Sequence, residues 1–215
     1  MFCWASWIAR SLIVVVPVLF AVGCNKDERP AVQNAFDAFQ AALASKDGQK
    51  AVTLLNQASV DYYGDLLQLA TTAGPDELMR RPFGDRMTIA MVRSRIDLAY
   101  ARKLTPEQFF MYIVQEGWYG SDQLKGGVIE NLTVEGDHAS ADFRGLQGSS
   151  AIPYELSKEN GVWKNDLKSL IAVVSRGSAS MMSSPEEEND FILMALAQKT
   201  GKPIPSSIWD KPKLK

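Results

Sequence analysis

The sequence predicts an α+β protein: helices first, then an antiparallel sheet, then one appended C-terminal helix. Apolar residues recur at helical spacing from residue 32 to residue 116, alternate with period two from 128 to 169, and return to helical spacing after Ser184. Gly136-Asp137 and Asn160-Gly161 fall between alternating runs, where two-residue hairpin turns need a residue with positive φ. Apolar residues make up 46% of the chain and charged residues 22%, the mix of a packed globular protein.

The elements follow in order. Val32, Phe36, Phe39 and Leu43 are spaced four, three and four residues apart, one apolar helical stripe. Asp47-Gly48 breaks it, and Ala51, Leu54 and Leu55 mark a second helix that completes a hairpin. Tyr62, Tyr63, Leu66, Leu67 and Leu69 predict a third helix over 60–72, and Gly74-Pro75 and Pro82 bracket a one-turn or irregular stretch. Residues 86–101 carry two apolar stripes, with Arg86 and Arg93 on one edge and Arg95 and Arg102 on the other. Seven Lys/Arg face two acids between Arg80 and Lys103. Because the arginines are split between edges, a doubly packed helix with solvated edges is expected there, not an anionic-lipid patch.

Thr105-Pro106-Glu107-Gln108 reads as an N-cap, a proline at the first helical position and a capping-box partner, with Phe109, Phe110, Ile113 and Val114 as the core face. Four strands are expected over 128–134, 138–144, 151–158 and 162–169. Ser184-Pro185-Glu186-Glu187 starts the last helix, and Trp209 suggests that the tail after Gly201 docks on the body.

The first 23 residues stand apart. Arg10 is their one charge, and the thirteen residues after it are apolar or small up to Gly23. This run is shorter than the ~20 residues of a membrane-spanning helix and fits the core of a secretory signal. Ala21-Val22-Gly23-Cys24 resembles the lipobox of bacterial lipoproteins, although Ala stands where Leu is more usual. The resemblance implies cleavage before Cys24, acylation of Cys24, and a membrane as partner through that anchor. Asn25 after the cysteine resembles the enterobacterial signal for the outer membrane, on its periplasmic side. Cys3 would leave with the signal, so the mature chain would hold no internal disulfide.

Helices followed by a meander that closes on Glu159-Asn160-Gly161-Val162-Trp163-Lys164-Asn165-Asp166-Leu167 resemble the NTF2-like (cystatin-like, cone-shaped) superfamily, over about residues 31–175. The implied layout is a signal peptide at 1–23, a tether at 24–30, an NTF2-like domain at 31–175 with its sheet curved beneath the helices, and a C-terminal helix and tail at 176–215. That superfamily hosts isomerases, dehydratases, transport adaptors and ligand-binding domains, so the fold does not choose the function.

Several chemistries find no material. A net charge of −2 gives no nucleic-acid footprint. With His138 the sole histidine and Cys24 destined for lipid, no His-based triad and no Cys/His metal set can be assembled, and neither cofactor nor metal is expected. Phosphate-cradling glycine loops and hydrolase elbows are absent from the sequence.

Setting the hairpins on their turns pairs Val134 with Ala139, Leu132 with Ala141, Leu156 with Asn165, Tyr154 with Leu167 and Lys158 with Trp163. The inner face then carries Val128, Glu130 opposite Phe143, Tyr154 and Asn165, above the small Ala139 and Ala141. Such a face suits an apolar pocket, with Glu130 as base or acceptor, Tyr154 as donor and Asn165 as orienting group. The alternative is that Glu130 reaches water and Asn165 bonds to backbone, as most such polar groups do. Function is therefore expected to be binding of a small apolar ligand or an envelope protein. The alternatives are a carboxylate-dependent isomerase or dehydratase and an envelope assembly or structural factor.

Overall fold

The computed structural model describes residues 27–118, 126–145 and 151–213. Cys24 and the residues before it lie outside the described residues. The fold is mixed α+β, with nine α-helices among the described residues and one four-stranded antiparallel sheet. The helices are α1 (Arg29–Ala44), α2 (Gly48–Thr53), α3 (Gln57–Thr72), α4 (Pro75–Met79), α5 (Phe83–Arg95), α6 (Leu98–Ala101) and α7 (Pro106–Gln115). The strands β1 (Val128–Glu135), β2 (His138–Arg144), β3 (Ile152–Glu159) and β4 (Val162–Asn165) follow as a meander in chain order. Helices α8 (Leu167–Ala179) and α9 (Pro185–Thr200) and a 3-10 turn at Ser206–Trp209 complete the chain.

Helix starts follow local chemistry. Asp47, Asn56, Asp97, Thr105, Asp166 and Ser184 each accept a hydrogen bond from a backbone N–H of the first turn they cap, each stabilising by about 1 kcal/mol. At Thr105 the reciprocal bond from Gln108 closes the capping box.

The core lies between α1, α3 and α7 and the inner face of the sheet. Val32, Phe36, Phe39 and Leu43 are all buried, as their spacing requires. Phe36 packs edge-on against Tyr154 of β3, with ring centroids 5.2 Å apart, and Tyr63 of α3 meets Phe110 of α7 at 4.9 Å. Trp163 is buried in β4, and its indole N–H donates to Glu28 Oε2 at 2.8 Å. Lys158 Nζ reaches the same carboxylate at 2.6 Å, so the segment entering α1 is fastened to the β3–β4 hairpin.

Three expectations are corrected. The first concerns β1. Asn131 takes a φ of 52°, and the β1–β2 register shifts between Glu130 and Thr133. This bulge flips the first half of the strand, so Ile129 is buried while Val128 and Glu130 are exposed. Val134 still pairs with Ala139, but Glu130 pairs with Asp142.

The second concerns β4, which stops at Asn165. The alternation after it belongs to α8, whose apolar positions 167, 170, 171 and 174 fall at helical spacing. Leu167 therefore does not pair with Tyr154. Asp166 accepts from Ser169 N at 3.0 Å, and the buried Ser59 hydroxyl accepts from Leu167 N at 2.9 Å and Lys168 N at 3.3 Å. The orphan donors of the first turn are thus satisfied.

The third concerns the arginines of 86–101. The helix breaks at the extended Ile96 and restarts as α6. The Arg86/Arg93 edge is covered rather than solvated. Arg93 donates to five carbonyls, including Ala70 at 2.9 Å and Ala73 at 2.6 Å at the end of α3 and Ile208 at 2.8 Å in the tail. The tail and Trp209 thereby dock on the body. Arg95 is exposed and lies over the Trp118 ring at 5.6 Å.

Trp163→Ala removes a buried indole and its bond to Glu28. Chemical denaturation is expected to show a loss of about 3–5 kcal/mol. A loss under about 1 kcal/mol would place the ring at the surface.

Candidate functional site

The structure brings two of the three sequence-predicted pocket residues together. Asn165 is fully buried at the end of β4. Its Oδ1 accepts the Tyr154 hydroxyl at 2.9 Å, and its Nδ2 donates to Leu54 O at 3.0 Å and Ala35 O at 3.4 Å. Its backbone N–H donates to Leu54 O at 2.8 Å, and its carbonyl accepts from Asn56 N at 3.1 Å. Every polar atom of Asn165 is therefore engaged. Tyr154 is equally buried, and burial pushes its phenol above the ordinary tyrosine range.

Glu130 is not part of this cluster. The bulge turns it to the outer face, where its carboxylate is half-exposed and pairs with Arg144 at 3.3 Å. That face is lined with further polar pairs: Asn131 with Asp142 at 2.7 Å, Thr133 with Ser140 at 2.8 Å and His138 with Glu155 at 2.7 Å. Over Ala139 and Ala141 the helices close down, and both alanines are buried. The inner face is a core whose polar groups satisfy one another, the outcome anticipated by the alternative reading of Asn165.

A cleft opens elsewhere, between the α4–α5 turn, α8 and the start of α9, with a volume of about 380 Å³. Its floor is the pair of Arg86 and Glu188, both buried and in direct contact. Arg86 also donates to Pro185 O at 2.9 Å, Arg81 O at 3.2 Å and Asn189 Oδ1, which fastens α9 to α5. Burial depresses the Arg86 pKa, and the nearby Glu186 carboxylate opposes that shift. A guanidinium this well supplied with acceptors remains charged.

Gly84 allows α8 to pack this closely. A Cβ there would overlap the Ser175 hydroxyl and press on Ile171 Cγ2 at 3.1 Å. Instead Gly84 N donates to Ser175 Oγ at 3.1 Å.

Arg80, Arg81 and Arg176 line the mouth of the cleft. Asp85 is buried and accepts the Tyr62 hydroxyl, and its other oxygen lies 3.1 Å from Arg81 Nε without hydrogen-bond alignment. Among the described residues, neither Arg80 nor Arg176 has an ion-pair partner. The sequence reading missed this group. Arg80-Arg81 stands in the sequence as a dibasic step after a one-turn helix, but Arg176 reaches the cleft on α8, over whose first residues the sequence predicts a strand.

No metal-holding cluster of three or more His, Cys, Asp or Glu occurs among the described residues. No family model, curated protein or solved structure matches the chain.

Tyr154 supplies a pH test. Its pKa is raised in the folded state, so its contribution to stability is fully present below the unfolded value of about 10 and is lost as pH climbs above it. In an absorbance titration, the Tyr154 phenolate is expected to appear only together with alkaline unfolding. Ionisation alongside exposed tyrosines in the native protein would mean that the Tyr154–Asn165 pair is open to water.

Proposed function

We propose that the chain is a lipid-anchored protein of the bacterial cell envelope, carried on acylated Cys24 at the periplasmic side of the outer membrane. Its NTF2-like body works there as a non-catalytic binding module. The carrying observation is the start of the folded body. Glu28, four residues after Cys24 in the sequence, is already fastened by Lys158 and Trp163.

Four extended residues reach at most about 14 Å. An anchor on Cys24 would therefore hold the β3–β4 hairpin close to the lipid surface. The β1–β2 turn lies beside that hairpin, since Lys158 N donates to Asp137 O at 2.8 Å. No helix among the described residues is long and apolar enough to cross a membrane. A lipid anchor is compatible with that and needs two or more acyl chains for stable attachment.

The helix layer followed by a meander supports the NTF2-like part of the reading. Glu130 lies on the outer face, away from Tyr154 and Asn165, so the carboxylate-dependent alternative loses the constellation on which it rested.

Metabolic labelling tests the anchor. Wild type is expected to take up labelled palmitate, to carry residue 24 at its mature N-terminus and to fractionate with the outer membrane, whereas Cys24→Ser takes up no label. Unlabelled wild type, or a mature chain starting elsewhere, would overturn the reading.

A further inference from the structure

We propose that the cleft between α5, α8 and α9 is a phosphate-binding site, with Arg80 and Arg176 as its charge-bearing contacts. The ligand class is a phosphate ester, either on a soluble molecule or on a lipid headgroup. The proposal extends the binding-module reading and is independent of the anchor on Cys24.

Most charges around the cleft are already paired. Glu188 is taken by Arg86, and Asp85 by Tyr62 and Arg81. Glu186 lies within the field of Arg86, where its own backbone N–H and the Ser184 hydroxyl hold its pKa low. Arg80 and Arg176 are exposed at the mouth without such a partner among the described residues, whereas the Arg81 guanidinium is held against Asp85. Two guanidiniums without a carboxylate partner thus line one concavity from two separate elements. Ser175, on the same wall, accepts from Gly84 N and keeps its hydroxyl hydrogen for an incoming oxygen.

A carboxylate has two oxygens and is satisfied by one guanidinium fork. A phosphate presents three or four, which suits several forks arriving from different directions. Phe83, Ala172 and Ala179 add an apolar side to the cleft, suited to the carbon part of an ester. The site is preorganised, because its floor is fixed by the bonds of Arg86 to α9 and by the Gly84–Ser175 contact.

The test uses the full-length protein in uncharged detergent micelles, followed by isothermal titration calorimetry. One arm adds inorganic phosphate or glycerol 3-phosphate. The other uses micelles doped with phosphatidic acid, with diacylglycerol as the uncharged control. The variant is the Arg80→Gln, Arg176→Gln pair, both exposed positions, with its thermal midpoint checked against wild type.

Saturable binding in either arm, weakened by salt and reduced roughly tenfold or more in the double variant, is expected. Binding in the soluble arm assigns a soluble ester, and binding in the doped-micelle arm alone assigns a headgroup. No saturable binding in either arm, or binding unchanged in a folded double variant, overturns the proposal. Palmitate uptake on Cys24 is unaffected by either outcome, so failure here is distinguishable from failure of the anchor.

Discussion

Asn165 is the point where the sheet and the helical layer are tied to one another, and much of the fold depends on that tie. It sits at the end of β4, buried, with hydrogen bonds to the α2–α3 connection through its backbone and to Leu54, Ala35 and Tyr154 through its side chain. A buried amide left without partners costs about 1–3 kcal/mol per group. A slip of β4 by one residue would strand those partners and turn Asp166 inward. The register of the β3–β4 hairpin, the position of α1 over the sheet and the start of α8 are therefore set together. The same bonds occupy the polar atoms that a ligand on the inner face of the sheet would need.

Arginine plays the corresponding role on the helical side. Arg93 gathers the open carbonyls at the end of α3 and two from the tail, and Arg102 donates to Thr71 O at 3.1 Å at the same helix end. Arg86 does likewise at the start of α9. Burial depresses the pKa of both Arg86 and Arg93, yet their many acceptors keep them charged. Arg80 and Arg176, which have no ion-pair partner among the described residues, line the cleft beside α8. Structural and functional arginines differ here by what remains unsatisfied, not by where they fall in the sequence.

The sheet's turns were legible because Asn160 and Gly161 both take positive φ and Gly136 opens the first hairpin, demands that only a few residue types meet. Helix starts at Thr105 and Ser184 were legible for the same local reason. The bulge at Asn131 was not, because an alternating strand with one extra residue reads as unbroken alternation until its partner strand is known. That one residue moved Glu130 from the predicted pocket to the surface. Likewise Leu167, Leu170 and Ile171 suit a strand end as well as a helix start, and the deciding contact is the hydroxyl of Ser59, far away in sequence. The arginine cleft was illegible because it joins side chains from three segments that meet only in the fold.

Native-state hydrogen exchange at the backbone amides of Asn165 and Asn56 tests most directly whether the inner face is a closed core. Both amides are expected to exchange only through global unfolding, with the same free energy as the amides of Phe109 and Phe110 in α7. Exchange of Asn165 and Asn56 at a markedly lower free energy, while α7 stays protected, would mean that β4 swings away from the helices and that the inner face opens as a pocket after all.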